Sequence, residues 1–269
     1  MTRSLYAFLL LPVLFSACSQ NNVTEDNSLG KYFDSAGVKG SFGLFDNGQG
    51  HFTIYDLPRF RDSAYQPAAT FDILLSLIAI QTGVSKDDNA LRQAFRAADD
   101  SGFVQLAPRI GKDTLKKWID SLGYGTRYIA GDSFWHDNHL KITADEQLGL
   151  LKKLYFNQLP FFPRTQKMVL DMIPSENNAN YQLHYKTAQG IKEDGHAIAW
   201  VMGWVEENKH PYFFVVNLES AGPSVNASAG LSADPSTSAL AGPSADLRNK
   251  GVQIARGILG KLGFFNGTK

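Results

Sequence analysis

The sequence predicts an α/β fold of the α+β type, in which one antiparallel β-sheet is flanked by helices. Strand-like segments lie toward both ends of the chain, and helix-like segments lie between them. The chain has 269 residues, a normal size for one such domain, and its 43% of hydrophobic residues suffice for a sizeable core. Basic and acidic residues number 26 each, so the net charge is zero and no nucleic-acid partner is expected.

The first half of the chain begins with a hairpin pattern and continues with a buried helix. Residues 40–55 alternate apolar and polar side chains on either side of Asn47-Gly48, which predicts a β-hairpin. Residues 70–80 are apolar nearly all round, which predicts a buried helix. Asp72 is conspicuous there, because a charge near the start of a buried helix is tolerable only if it faces the helix N-terminus or a cavity.

Amphipathic helices and a strand-rich segment follow. The periodicity predicts helices over 106–122 and 143–157, the second opened by the capping box Thr143-Ala-Asp-Glu. A final helix is predicted over 249–262. Short polar stretches separate three β-rich segments, which are therefore expected to be antiparallel neighbours: 181–187, 197–205 and 212–218.

The N-terminus has the pattern of an export signal. Residues 1–17 contain a positive start, a short apolar run and two small residues, and Cys18 follows directly. This is typical of a bacterial lipoprotein signal in which Cys18 carries the lipid, although an ordinary signal peptide with an incidental cysteine remains an alternative. Residues 18–39 are interpreted as a polar tether. The protein is therefore expected to be exported and lipid-anchored on the periplasmic side of the bacterial cell envelope.

Residues 220–246 differ in composition from the rest of the chain. They consist almost wholly of Ser, Ala, Gly and Pro, and Ala-Gly-Pro-Ser occurs twice. Such a segment buries little apolar surface, so it predicts a low-complexity surface loop within the domain. Closing a long loop costs only on the order of 1–2 kcal/mol more than a short turn.

Several stretches, in order and with matching spacing, resemble class D serine β-lactamases, the oxacillinase family. The resemblance runs from about residue 40 to residue 269, and the matching stretches are Gln66–Asp72, Leu122–Thr126, Phe134–Gln147, Tyr185–Ala188, Ala199–Phe214 and Leu247-Arg248. It implies a single domain with a five-stranded antiparallel sheet beside an all-helical region. The active site would lie in the cleft between the two.

The same resemblance implies that the catalytic residues are replaced. Class D enzymes use a serine nucleophile, a carboxylated lysine one turn later as base, and a second serine as proton shuttle. The equivalent positions here are Ala69, Asp72 and Ala98. Loss of a nucleophile costs on the order of a millionfold in turnover. The resemblance therefore predicts a fold without hydrolysis, while Asp72 is also open to interpretation as a helix N-terminal charge.

The binding half of the site is more complete. Lys186, Thr187 and Arg248 match the family's carboxylate-binding positions, and Trp135 matches a cleft residue. They are predicted to bind a β-lactam or a peptidoglycan-type carboxylate through charge-assisted hydrogen bonds. Alternatively, Trp135 is core packing, and the two cations are surface charges without a ligand.

Two functions from different classes remain. The first is a catalytically inactive, class D β-lactamase-like lipoprotein with a binding or scaffolding role in the envelope. The alternative is an active β-lactam-hydrolysing or penicillin-binding enzyme with a relocated nucleophile, for which Thr70 and Ser101 are the candidates. No cofactor is expected, and the six histidines show no metal-binding spacing.

Overall fold

The computed structural model describes residues 22–86, 89–97, 101–223 and 243–269. Its strands are β1 Val23–Glu25, β2 Val38–Asp46, β3 His51–Tyr55, β4 Ser175–Asn177, β5 Gln182–Ile191, β6 His196–Glu207 and β7 His210–Pro223. Its helices are α1 Gly30–Ala36, α2 Leu57–Asp62, α3 Asp72–Gln81, α4 Asn89–Ala97, α5 Ser101–Ile110, α6 Lys112–Leu122, α7 Ala144–Tyr155, α8 Pro163–Leu170 and α9 Pro243–Lys261. No helix among the described residues is long and apolar enough to cross a membrane.

The strands form one sheet in the order β1-β3-β2-β7-β6-β5-β4. All neighbouring pairs are antiparallel except β1 and β3. The α+β class is therefore confirmed, but the sheet has seven strands instead of five. The additional strands, β1 and β4, span three residues each at the sheet edges, too few for a period-2 pattern to reveal.

The predicted hairpin and the three antiparallel neighbours are confirmed. In the hairpin Phe42 pairs with Tyr55, and the Asp46 carboxylate accepts the backbone N–H of Gly48 at 2.8 Å. Along the second half, β5 pairs with β6 and β6 pairs with β7. The turn residues of the sequence therefore predict these strand pairings correctly.

The tether predicted for residues 18–39 is wrong over its described part. Residues 23–25 pair with β3, a 3₁₀ turn spans Asn27–Leu29, and α1 follows. Leu29 and Phe33 are buried four residues apart, and the Phe33 ring stacks on Tyr55 with centroids 4.9 Å apart. Burial of two apolar side chains at helical spacing thus orders this segment despite its mostly polar composition. The predicted signal peptide and Cys18 lie outside the described residues.

The two central helix predictions have different outcomes. The helix expected over 106–122 is two helices, α5 and α6, because Gly111 has a φ of 88° and breaks the helical path. The helix expected from Thr143 is α7, and its capping box is complete: the Thr143 hydroxyl accepts the Glu146 N–H at 3.2 Å.

The predicted loop at 220–246 is shorter than its composition indicates. β7 continues to Pro223, and α9 already begins at Pro243. Only residues 224–242 of the segment lie outside the description. The end of β7 and the start of α9 therefore lie within the Ser/Ala/Gly/Pro-rich segment. That composition has no apolar pattern from which these two ends could be predicted.

The sheet separates two hydrophobic cores. On one face, α1 and α9 pack against Ala199 and Val201. On the other face, the helical region α2 to α8 packs against Trp200, Met202 and Trp204. Successive residues of a strand point to opposite faces, so β6 contributes side chains to both cores. Strand β5 lies next to β6, toward the β4 edge of the sheet.

Candidate functional site: the junction of α3, α4 and β5

The family-equivalent nucleophile and base positions lie where a 3₁₀ turn, Ala68–Phe71, runs into α3. Ala68 is fully buried with a φ of 47°, and its N–H donates to the Trp135 carbonyl at 3.1 Å. A positive φ is uncommon for alanine and costs on the order of 1–3 kcal/mol. The turn therefore has a strained backbone, a feature that is enriched at functional sites.

No oxygen is offered for attack at this turn. Ala69, 3% exposed, ends in a methyl group. The Thr70 hydroxyl is fully buried, donates to the Pro67 carbonyl at 2.6 Å and accepts from the Gln147 amide at 2.6 Å. Thr70 is thereby committed to internal hydrogen bonds. Ser101, the other alternative nucleophile, is the first residue of α5.

The main feature of the site is a buried ion pair between Asp72 and Lys186. The Lys186 ammonium donates to Oδ2 of Asp72 at 2.7 Å, and the two side chains are 3% and 1% exposed. The ammonium also donates to the Phe95 carbonyl at 2.7 Å and lies 4.2 Å from the centroid of the Phe95 ring. Phe95 is in the last turn of α4, where carbonyls lack helical partners and attract a cation.

This pair changes the interpretation of both residues. Lys186 is not a surface charge, so that alternative is wrong for it. Asp72 is in the first turn of α3, where the helix dipole stabilises its negative charge. Lys186 of β5 compensates that charge in addition. The pair was not predicted from the sequence. A usable signal was present, because a charge in an all-apolar helix requires a partner, and Lys186 lies two residues before the buried Ala188, on the same face of the strand.

A small cavity lies beside the ion pair. It has a volume of about 230 Å³ and is lined by Phe95, Arg96, Pro174, Ser175, Glu176, Tyr185, Lys186 and Thr187. Thr187 is half-buried there. None of the other predicted site residues that the structure describes lines this cavity. The structure therefore brings together Lys186 and Thr187 of the predicted binding group, and it brings Asp72 to Lys186.

Trp135 and Arg248 are placed elsewhere. Trp135 is fully buried and stacks on Phe71 with ring centroids 5.4 Å apart, so it packs in the core instead of lining a cleft wall. Arg248 is half-buried in α9. That helix packs on the opposite face of the sheet from the ion pair, against Val201. Ala98 lies outside the described residues.

The side of β5 beyond Lys186 is covered. The Gln66 and Asn138 side chains both donate to the Ile191 carbonyl. Gln66 also presses on Gly190, where a Cβ would lie 2.6 Å from the Gln66 side chain. These two polar side chains therefore cover the end of β5 near the 3₁₀ turn Ala68–Phe71.

One further cluster has metal-binding residue types. Oxygen and nitrogen atoms of Asp194, His196 and Glu219 lie within 4.8 Å of one another. The Lys192 ammonium already donates to Asp194 at 2.9 Å and to Glu219 at 2.8 Å. A lysine therefore supplies the positive charge that these carboxylates require.

The chain matches known proteins over most of its length. Residues 85–241 match the family model of the penicillin-binding protein transpeptidase domain. β-Lactamase OXA-5 of Pseudomonas aeruginosa is 30% identical over 240 residues, which is 81% of this chain and 90% of that protein.

Solved structures agree with this match. The class D β-lactamase YbXI from Nostoc has a TM-score of 0.75 at 28% identity, covering 88% of this chain and 99% of that one. The C-terminal domain of the Bacillus licheniformis BlaR penicillin receptor has a TM-score of 0.76 at 23% identity, covering 90% and 97%, and shares the fold. The chain therefore belongs to the class D β-lactamase family, with the penicillin-binding transpeptidase fold.

Proposed function

We propose that this protein is a non-hydrolytic member of the class D β-lactamase family with a binding or scaffolding role in the bacterial envelope. The observation that carries the proposal is the ion pair of Asp72 with Lys186, three residues along the chain from Ala69, whose side chain is a methyl group. The family-equivalent base position has become one half of a structural ion pair.

The chemistry of acyl transfer supports this proposal. Acylation requires an oxygen or sulfur nucleophile and a base that takes its proton. Ala69 has no such atom, and the Asp72 carboxylate has no amine from which a carbamate could form. Residual catalysis from binding and oxyanion stabilisation reaches only about a thousandfold over water.

The alternative of a relocated nucleophile has little support at Thr70. Its hydroxyl proton points to the Pro67 carbonyl, and its lone pairs face the Gln147 amide. Attack on a ligand would require the hydrogen bond to Pro67 to break and a fully buried hydroxyl to become accessible.

A β-lactam ligand is suggested by the fold, and it would be held non-covalently. A ligand carboxylate at Lys186 must compete with Asp72, because the ammonium is already neutralised. Withdrawing Lys186 would leave a buried charge uncompensated, at a cost of about 3–5 kcal/mol. We therefore expect weak binding of β-lactams and of peptidoglycan-type carboxylates, with Thr187 as the remaining contact.

The proposed location is the envelope, through a lipid on Cys18. The signal pattern of residues 1–18 supports the anchor. Val23 is already part of the sheet, so a lipid at Cys18 would hold the domain close to the bilayer. In bacteria expressing the full chain, detergent-phase partitioning that is lost in Cys18→Ala would support this. Equal partitioning of both proteins into the aqueous phase would contradict it.

The catalytic proposal is tested with the purified protein by nitrocefin turnover and by intact mass after incubation with penicillin. We expect turnover at the buffer rate and an unchanged mass, with a class D β-lactamase as the positive control in both assays. A covalent penicillin adduct, or turnover above buffer that scales with protein concentration, would overturn the proposal.

A further inference from the structure

A second and larger cavity lies next to the one beside Lys186. Its volume is about 510 Å³, within the range of about 300–1,000 Å³ that is usual for small-molecule sites. It lies between the C-terminal ends of α7 and α8 and the adjoining strands β4, β5 and β6. The two cavities share Arg96 and Ser175, but neither Lys186 nor Thr187 lines the larger one.

The wall of this cavity formed by α7, β5 and β6 combines aromatic rings with a fixed carboxylate. The His184 ring stacks flat on Trp204 with centroids 4.4 Å apart and an interplanar angle of 7°. Tyr155 meets Trp204 edge-on at 5.6 Å. The Tyr155 hydroxyl and the Trp204 indole N–H each donate to Oε1 of Glu206, both at 3.0 Å.

The two donors fix the direction of the Glu206 carboxylate. Both hydrogen bonds end on the same oxygen, and no described hydrogen bond reaches Oε2. Glu206 is half-buried and lines the cavity. The carboxylate is therefore oriented before any ligand arrives, which lowers the cost of binding a cation.

The charges around the cavity favour a cation. Of the lining residues that the structure describes, Glu206 and Asp171 are the carboxylates, and the exposed Arg96 is the one lysine or arginine. Burial lowers the pKa of His184 despite the charges of Glu206 and Asp171, so the imidazole is neutral near pH 7 and adds no positive charge. Lys167 pairs with Asp171 at 3.0 Å, which leaves Glu206 as the lining carboxylate that no described lysine or arginine neutralises. Burial, followed by the Glu206 charge, raises the pKa of Tyr155 and keeps its hydroxyl a donor.

We propose that this cavity is a binding site for a small organic cation, an alkylammonium group held by Glu206 against Tyr155 and Trp204. Aromatic rings with a nearby carboxylate supply the two interactions that ammonium ions use in proteins, cation–π attraction and charge-assisted hydrogen bonds. The site is independent of the family-equivalent catalytic positions, so it does not require hydrolysis.

The proposal is tested by titrating the full protein with n-pentylammonium, and with 1-pentanol and pentanoate as probes of equal chain length. The readout is the ¹⁵N–¹H signal of the Trp204 indole, identified by its absence in Trp204→Phe. We expect a saturable shift with n-pentylammonium in the millimolar range and none with the neutral or anionic probe. Equal shifts with n-pentylammonium and 1-pentanol, or no saturable shift with any probe, would overturn the proposal.

A matched pair of variants locates the site. Glu206→Gln keeps an acceptor for Tyr155 and Trp204 but removes the charge. We expect the affinity for n-pentylammonium to fall by roughly tenfold or more. Glu193→Gln removes a carboxylate that pairs with Lys141 outside the cavity, and binding should be unchanged. Unchanged affinity in Glu206→Gln would refute the assignment. If that variant does not fold, the comparison of charged and neutral probes on the wild type still decides.

Discussion

Replacement of Lys186 by methionine should destabilise the protein strongly. Methionine keeps most of the stem volume but removes the ammonium, so Asp72 loses its partner in a site where both side chains are at most 3% exposed. Removing one member of a buried ion pair costs about 3–5 kcal/mol. At about 2–4 °C per kcal/mol for a domain near this size, the midpoint of thermal unfolding should fall by roughly 6–20 °C.

The assay is equilibrium urea unfolding of a double-mutant cycle. Asp72→Leu/Lys186→Met removes both charges, and it should be less destabilised than the sum of the single variants by about 0.5–3 kcal/mol. The control is Lys167→Met, since the Lys167–Asp171 pair spans 3.0 Å with side chains 73% and 49% exposed. That change should cost about 0–1 kcal/mol. Equal losses in Lys186→Met and Lys167→Met, or strict additivity in the cycle, would refute the reasoning.

Three further predictions concern the site, a helix end and a charge network. Ala69→Ser alone should not restore nitrocefin turnover, because the base position still carries an ion-paired carboxylate; measurable turnover in this variant would show that reasoning to be mistaken. Thr143→Ala should cost about 1 kcal/mol in urea unfolding through loss of the capping box, and an unchanged midpoint would speak against that role. Burial alone would raise the pKa of the Glu219 carboxyl, but Lys192 and Arg59 outweigh burial and hold this pKa below its ordinary value. The ionised form therefore stabilises the fold above the unfolded pKa of about 4.3, and this stability is lost as the pH falls through the folded pKa. Glu219→Gln should accordingly destabilise the protein more at neutral pH than at about pH 3 by urea unfolding, and an equal loss at both would contradict this.

Local patterns were sufficient wherever a few neighbouring residues determine the backbone. Asn47-Gly48 predicts the hairpin and Thr143-Ala-Asp-Glu predicts the start of α7, and both are found. Local patterns failed where burial depends on distant partners. Leu29 and Phe33 lie in a polar segment, and only the packing of α1 on the sheet reveals them as core residues.

The sequence by itself determined the fold class, the family and the absence of a side-chain oxygen at position 69, because motif order and residue identity do not depend on coordinates. Only the tertiary structure decided what the remaining charges do. Asp72 and Lys186 are 114 residues apart and meet because α3 and β5 border the same core. Charges buried in a medium of low polarity are stabilised by partners at hydrogen-bond distance, and the fold alone determines which residues come that close.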